Sequence, residues 1–325
     1  MILAGDIGGT NTRLAIFDGT ASKPRAIAIE VFPSAAHSGL PEIVRKFRAQ
    51  QSHPIEAACF GVAGPVRDGK ARLPNLTWTV DSAELAAELG LKSVRLANDL
   101  EVNAYGIAVL GPEDFETLNE GDAKASGNRA LISAGTGLGE AGMLADGDDY
   151  RPWACEGGHA DFAPRHATEI ALLEYLLKKY EHVSYERVLS GQGLYNIYQF
   201  LRDTGRGEEP DWLKDEIGRR DPAAVISQTA TQGKSPLCVA ALDMLASIYG
   251  AEAGNLALKA MATGGVYLGG GIAPKIVAKL KETRFMQAFS QKGRISPVLH
   301  SIPVRVILND KTALLGAGRL AMKGH

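Results

Sequence analysis

The feature that most constrains this chain is a pattern it carries twice. Near the start, Ile2-Leu3-Ala4-Gly5-Asp6-Ile7 runs into Gly8-Gly9-Thr10-Asn11, and Thr12-Arg13-Leu14-Ala15-Ile16-Phe17 leads away to Asp18-Gly19. Further on, Ala130-Leu131-Ile132-Ser133-Ala134 runs into Gly135-Thr136-Gly137, and Leu138-Gly139-Glu140-Ala141-Gly142-Met143-Leu144-Ala145 leads to Asp146-Gly147. Gly9-Thr10 aligns with Gly135-Thr136, and Asp18-Gly19 with Asp146-Gly147 after two extra residues. Each copy reads as two apolar strands joined by a glycine turn. Such a turn lets backbone N–H groups point inward past missing β-carbons, where they can cradle anionic oxygens. Asp6 lies just before the first turn. A carboxylate beside a phosphate cradle makes electrostatic sense with a cation between them, and Mg²⁺ takes one or two carboxylates plus phosphate oxygens. The alternative is an ordinary hairpin whose glycines serve the bend. Two copies more than a hundred residues apart favour two similar domains addressing one nucleotide.

Length and charge narrow the classes. A chain of 325 residues allows about two domains. A net charge of −2 supplies no basic face for nucleic acid or anionic lipid. Cys59, Cys155 and Cys238 are too far apart for a disulfide framework or a metal knuckle. The amino terminus shows no secretory pattern, and no continuous apolar run approaches bilayer length. The expectation is a soluble, cytoplasmic protein without nucleic-acid or membrane partners.

Between the two hairpins the pattern alternates strand and helix. Strands are expected at 25–31, 55–62 and 93–97, with helices at 40–50, 81–89 and 101–109. The run 55–62 is apolar throughout, as in a strand buried on both faces, and it empties into Gly61-Val62-Ala63-Gly64-Pro65. Asn75 follows in a loop. The strand at 93–97 delivers Asn98-Asp99 to its carboxyl end, where open α/β sheets place their ligands. Asp99 there is either a helix cap or a general base that accepts the proton of an attacking hydroxyl.

After the second hairpin comes Glu156-Gly157-Gly158-His159, a tight turn whose two polar side chains can converge on a small ligand. A carboxylate with an imidazole suits sugar hydroxyls, which both donate and accept. A metal is disfavoured, because no second His or Cys stands at ligand spacing. Helices are expected at 167–180, 193–201, 222–231 and 236–261, with an exposed loop at 203–215. Leu268-Gly269-Gly270-Gly271 then ends a strand at a triple glycine, which lets a flat ring such as adenine lie against backbone, before a helix opened by Pro274. A last strand at 302–308 and helix at 312–322 are expected to return and complete the first domain. The predicted domains are thus 1–110 plus 300–325, and 111–299. Neither a Walker loop nor a dinucleotide fingerprint in its strand–helix context is present.

Together these motifs resemble those of the bacterial glucokinases, in the zinc-free glucokinase group of the hexokinase–actin–Hsp70 superfamily. The resemblance runs through Asp6–Arg13, Asn98-Asp99, Gly135–Gly139, Glu156–Phe162, His182–Gly191 and Leu268–Pro274, in order and over nearly the whole chain. It implies a two-domain α/β actin-like ATPase (ribonuclease H-like) fold with an interdomain cleft. It also implies ATP-dependent phosphorylation of D-glucose at its 6-hydroxyl, an entry step to glycolysis, by a magnesium-dependent homodimer. On that resemblance Asp99 is the base, while Asn98, Glu156, His159 and Glu186 hold glucose with Asn75 nearby. Asp6 would hold Mg²⁺ through water. Gly8, Gly9, Thr10 and Asn11 would meet the transferred phosphoryl group, Gly135, Thr136 and Gly137 the nucleotide phosphates, and Gly270 and Gly271 the adenosine. Glu140 departs from the pattern, since relatives carry an apolar residue there more often. Two alternatives remain: a kinase for another hexose or amino sugar, and a sugar-binding member of the fold without catalysis.

Overall fold

The computed structural model describes residues 1–73 and 76–324, and they form two compact units. The first comprises Met1–Glu113, Asp146–Ala154 and Asn309–His325. Its strands β1 (Ile2–Ile7), β2 (Asn11–Thr20) and β3 (Lys23–Pro33) form an antiparallel meander. Helix α1 (Leu40–Ala49) leads to β4 (Ala57–Val62), which pairs parallel to β1. Short strands β5 (Val66–Arg67), β6 (Lys70–Arg72) and β7 (Thr79–Asp81) make a separate small sheet. Helix α2 (Ser82–Leu89) is capped by Asp81, β8 (Arg95–Asn98) pairs parallel to β4, and α3 (Asp99–Ile107) follows directly. The main sheet therefore runs β3-β2-β1-β4-β8.

Side chains alternate across this sheet with period two. Leu3, Ile7, Leu14 and Ile16 face a core with Ile43, Val44 and Phe47 of α1, whereas Ala4, Ala15 and Phe17 face the opposite way. That second face is covered by α3 and the terminal helix, which approach closely. A β-carbon on Gly106 would stand 2.0 Å from the Thr312 carbonyl oxygen, and one on Gly316 would stand 1.7 Å from that of Val102.

The second unit comprises Asp114–Ala145 and Cys155–Leu308. It holds β9 (Phe115–Asn119), β10 (Arg129–Ala134) and nearly all of β11 (Leu138–Asp146), then α4 (Ala167–Leu177) and α5 (Gly191–Asp203), whereas β12 (Asp149–Cys155) falls in the first unit but for Cys155. Helices α6 (Asp211–Arg219), α7 (Pro222–Thr231) and α8 (Pro236–Ala260) precede β13 (Gly265–Gly269). Three short helices, α9 (Val277–Leu280), α10 (Thr283–Ser290) and α11 (Ser296–His300), lead to β14 (Val304–Ile307). The terminal helix is α12 (Thr312–Met322). The strands of this unit run β11-β10-β13-β14-β9.

The last strand thus lies beside β13 in the second sheet, and α12 alone belongs to the first unit. The reason is a partner that sequence reading passed over: β9 pairs antiparallel with β14 from the other side. The segment 203–215, expected as loop, ends in α6, whose Leu213 is fully buried. Helix α8 is long and apolar enough by length and composition to cross a membrane, but most of it is buried in protein, where Leu242, Leu245, Tyr249 and Ala253 form part of the core.

Candidate active site

The first glycine turn is held from outside by Ser34, which follows β3. Its Oγ donates to the Gly8 carbonyl at 2.8 Å and lies 3.0 Å from the Thr12 hydroxyl, while its N–H donates to the Thr10 carbonyl at 2.9 Å. The Gly8 N–H is itself used, donating to Asn11 at 3.0 Å to close the turn. Asp6 stands opposite Arg13 in the β1–β2 register. The Arg13 guanidinium binds both the carbonyl and the carboxylate of Asp310, just ahead of α12. Burial pushes the Asp6 carboxyl up, Arg13 pulls it down, and Asp310 adds to the rise.

At the end of β8, Asn98 is the residue that caps α3. Its Oδ1 accepts from the Leu100 N–H at 2.9 Å, and its amide donates to the Gly64 carbonyl at 3.2 Å. Asp99 opens the helix and shares the same Leu100 N–H at 3.0 Å. Capping therefore does not require Asp99, which weakens the purely structural reading of that carboxylate.

In the second unit, the Gly135 N–H donates to the Gly137 carbonyl at 2.8 Å, and the Gly135 carbonyl accepts the first N–H of α5, that of Gly191, at 2.9 Å. A cavity of about 510 Å³ begins at Gly135 and Thr136. Gln192, Asp221, Ser227, Gly271 and Lys275 supply much of its polar lining. Gly270, at φ +77°, turns the chain there, and a β-carbon on it would stand 2.3 Å from the Ala134 carbonyl oxygen.

Glu156 precedes a 3-10 turn over Gly157–His159, and its Oε2 lies 4.0 Å from His159 Nε2, both side chains being exposed. The turn is stapled to the next segment: Phe162 N–H donates to Val183, Tyr185 N–H to Ala160, and His182 Nε2 pairs with Asp161 at 2.8 Å. Glu186 joins this turn to the glycine turn, because its Oε2 accepts the Leu138 N–H at 2.9 Å and a β-carbon on Gly137 would stand 2.5 Å from it. Asn75 lies outside the described residues. Among the described residues no cluster of three or more His, Cys, Asp or Glu could hold a metal ion.

This geometry joins a glycine-turn pocket and a polar turn within one unit, and comparison with known proteins says whose they are. The family model for glucokinase matches residues 3–324. The chain belongs to the glucokinase family. A curated glucokinase of Nostoc sp. is 43% identical, with 99% of each chain covered. The crystal structure of a glucokinase from an Antarctic psychrotroph aligns with a TM-score of 0.86 at 31% identity, over 99% of both chains. A ROK family glucokinase from Streptomyces griseus, solved with glucose and AMPPNP, aligns with a TM-score of 0.67 over 99% of both chains. At 23% identity that last likeness is one of fold. The fold of this glucokinase-family enzyme is therefore the two-domain actin-like ATPase fold, as its motifs imply.

Several residues around these turns and the cavity escape a linear reading. Ser34 has no motif around it, because its role depends on β3 returning beside the first turn. Asp221 and Lys275 carry no motif of their own and are found only as residues lining the cavity. Glu140 is 1% exposed. Burial first, and then the neighbouring Glu252, hold its carboxyl well above the usual carboxylate range.

Proposed function

We propose that this chain transfers the terminal phosphoryl group of ATP to the 6-hydroxyl of D-glucose, giving glucose 6-phosphate and ADP, with Asp99 as general base. The observation that carries the reading is Glu186: its carboxylate accepts from the glycine turn that opens the cavity, and its neighbour Tyr185 donates its N–H to Ala160, which follows the polar turn at Glu156–His159. A sugar-holding element and a phosphate-holding element are thereby built against each other.

In this reading the glucose hydroxyls are held by Glu156 and His159, with Glu186, Asn98 and Asn75 completing the sugar site. Asp99 takes the proton of the 6-hydroxyl as that oxygen bonds to phosphorus and the bond from phosphorus to the ADP oxygen breaks. The N–H groups of Gly9 and Thr10 remain to meet the transferred group, with Asn11 beside them, since that of Gly8 closes its own turn. Thr136 and Gly137 face the nucleotide phosphates, and the cavity at Gly270-Gly271 takes the adenosine. Its size falls within the ~300–1,000 Å³ of small-ligand pockets.

Asp6 is the residue that would hold Mg²⁺. A single hard carboxylate, disfavoured as an anion by its burial, suits a dication that arrives with its own phosphate and water ligands. When bound, the ion neutralises charge developing on the phosphate oxygens. We further propose a cytoplasmic homodimer feeding glycolysis, on the family resemblance.

The test is ADP formation with Mg-ATP and glucose, mannose, fructose, glucosamine, N-acetylglucosamine or no sugar. Strong turnover that depends on glucose supports the reading. Preference for another sugar moves the assignment to that substrate, and slow hydrolysis indifferent to all sugars overturns it.

A further inference from the structure

The first inward-facing side chain of β11 beyond the glycine turn, after Leu138, is that of Glu140. Neither of its oxygens meets a hydrogen-bond donor among the described residues. What one of them meets is the backbone of the polar turn. A β-carbon on Gly157 would stand 2.0 Å from Glu140 Oε2, and one on Gly158 would stand 2.0 Å from the Leu138 carbonyl oxygen. The start of β11 is therefore the floor on which the turn rests, and the paired glycines are what let it rest so closely.

The carboxyl of Glu140 also faces Glu252, fully buried in α8. The two are provisioned differently. Glu252 receives the Asn255 amide at 2.8 Å and the Lys259 ammonium at 3.4 Å, and the Tyr185 phenol interacts with it too. Glu140 receives nothing comparable. Two facing carboxyls with one set of donors are stable with one proton between them, carried on the member that lacks donors. Protonated, Glu140 can donate to Glu252; ionised, it would be a second buried anion against the first.

We propose that Glu140 is a positioning residue for the sugar-holding turn: the proton it shares with Glu252 keeps the floor beneath Gly157 in place, and losing that proton displaces Glu156 and His159 and weakens sugar binding. This rests on the reading of that turn as the sugar site. An apolar side chain at this position would leave Glu252 without this donor.

Other ionisable groups surround the pair. From α8 these are Tyr249 and Lys259, from the end of β12 Cys155, and from the segment after Val183 Tyr185; burial raises Cys155 and both tyrosines. Lys292, beyond α10, is the competitor. Burial lowers its ammonium to about 8, and it donates to the Ala251 carbonyl and to Asn255 Oδ1.

The experiment is calorimetric titration of glucose into the full chain from neutral to alkaline pH, for wild type, Glu140→Gln and Lys292→Met. AMPPNP is titrated in parallel. Glutamine keeps the shape and a donor while removing the proton that can be lost. The glucose Kd of wild type and Lys292→Met should rise with pH, by up to about tenfold per pH unit above the group's pKa. That of Glu140→Gln should stay flat, and AMPPNP affinity should not follow pH in the same way. A wild-type glucose Kd that ignores pH, or the same rise in Glu140→Gln, overturns the inference alone. Loss of the rise in Lys292→Met assigns it to that lysine and overturns the inference without use of the glutamine variant. Absence of glucose binding by wild type at neutral pH overturns the sugar reading, and this inference with it.

Discussion

The amide of Asn98 donates to the carbonyl of Gly64 at 3.2 Å, tying the end of β8 to the loop that follows β4. Both loops leave the carboxyl ends of parallel strands, so one hydrogen bond fixes the frame on which Asp99 stands. Because Asn98 also accepts the Leu100 N–H, α3 keeps its cap when Asp99 is altered. Asp99→Asn should therefore fold with an unchanged Tm and bind glucose within a few-fold of wild type. Its turnover should fall by about 10²–10⁴-fold, the usual contribution of a positioned base. Turnover close to that of wild type in a steady-state assay would remove Asp99 from the chemistry.

Glu156→Gln tests the sugar turn. The carboxylate is exposed and, among the described residues, meets only His159 at 4.0 Å, so the variant should fold normally. A hydrogen bond to a charged group contributes ~1.5–3 kcal/mol, which corresponds to a rise of roughly 10–100-fold in the glucose KM. The KM for ATP should move far less. Equal changes in both constants would point to a general disturbance of the second unit.

What was legible in the sequence was whatever is local. The two glycine turns and the Glu156–His159 turn each depend on neighbours within a few residues, and each stands where the linear pattern put it. Strand β9 was missed because Phe115–Asn119 has mixed polarity and is held by β14, nearly two hundred residues away. The small sheet β5-β6-β7 was missed because its strands are two or three residues long. Glu140 was visible as an anomaly but not as a partner. Its meaning comes from Glu252, which is 112 residues further on and carries no motif.

The triple glycine separates two demands that sequence alone merges. At Gly270 the backbone is left-handed and a β-carbon would collide with Ala134, whereas one added at Gly271 would meet nothing within 4 Å among the described residues. Gly270→Ala should therefore cost ~1–3 kcal/mol of strain and lower the Tm. Gly271→Ala should leave the Tm unchanged and raise the KM for ATP, because Gly271 lines the cavity. Thermal melts alongside ATP kinetics check both. A Gly271→Ala enzyme with ordinary ATP affinity would place the adenosine elsewhere.

The last prediction concerns acid stability of the first unit. Arg319, buried in α12, donates to Asp149 at 2.8 Å and to the carbonyls of Ala21 and Tyr105, and Lys323 pairs with the same carboxylate. Burial alone would raise the Asp149 carboxyl, but the hydrogen bonds from Lys323 and Arg319 outweigh it and hold the group well below the usual range. A carboxylate depressed in the folded state stabilises it above the unfolded pKa of ~3.9, and that contribution fades as pH falls toward the folded value. Exposed pairs contribute ~0–1 kcal/mol and breaking buried ones costs ~3–5, so this half-buried pair should contribute about 2 kcal/mol at neutral pH. Asp149→Asn should lower the unfolding free energy of the first unit by that margin, read from the urea transition of the buried Trp78. The gap from wild type should narrow steadily as the buffer is taken below about pH 4, because wild type then loses the charge that the variant never had. A gap that holds constant with acidity would mean that packing of Asp149, and not its charge, anchors the terminal helix.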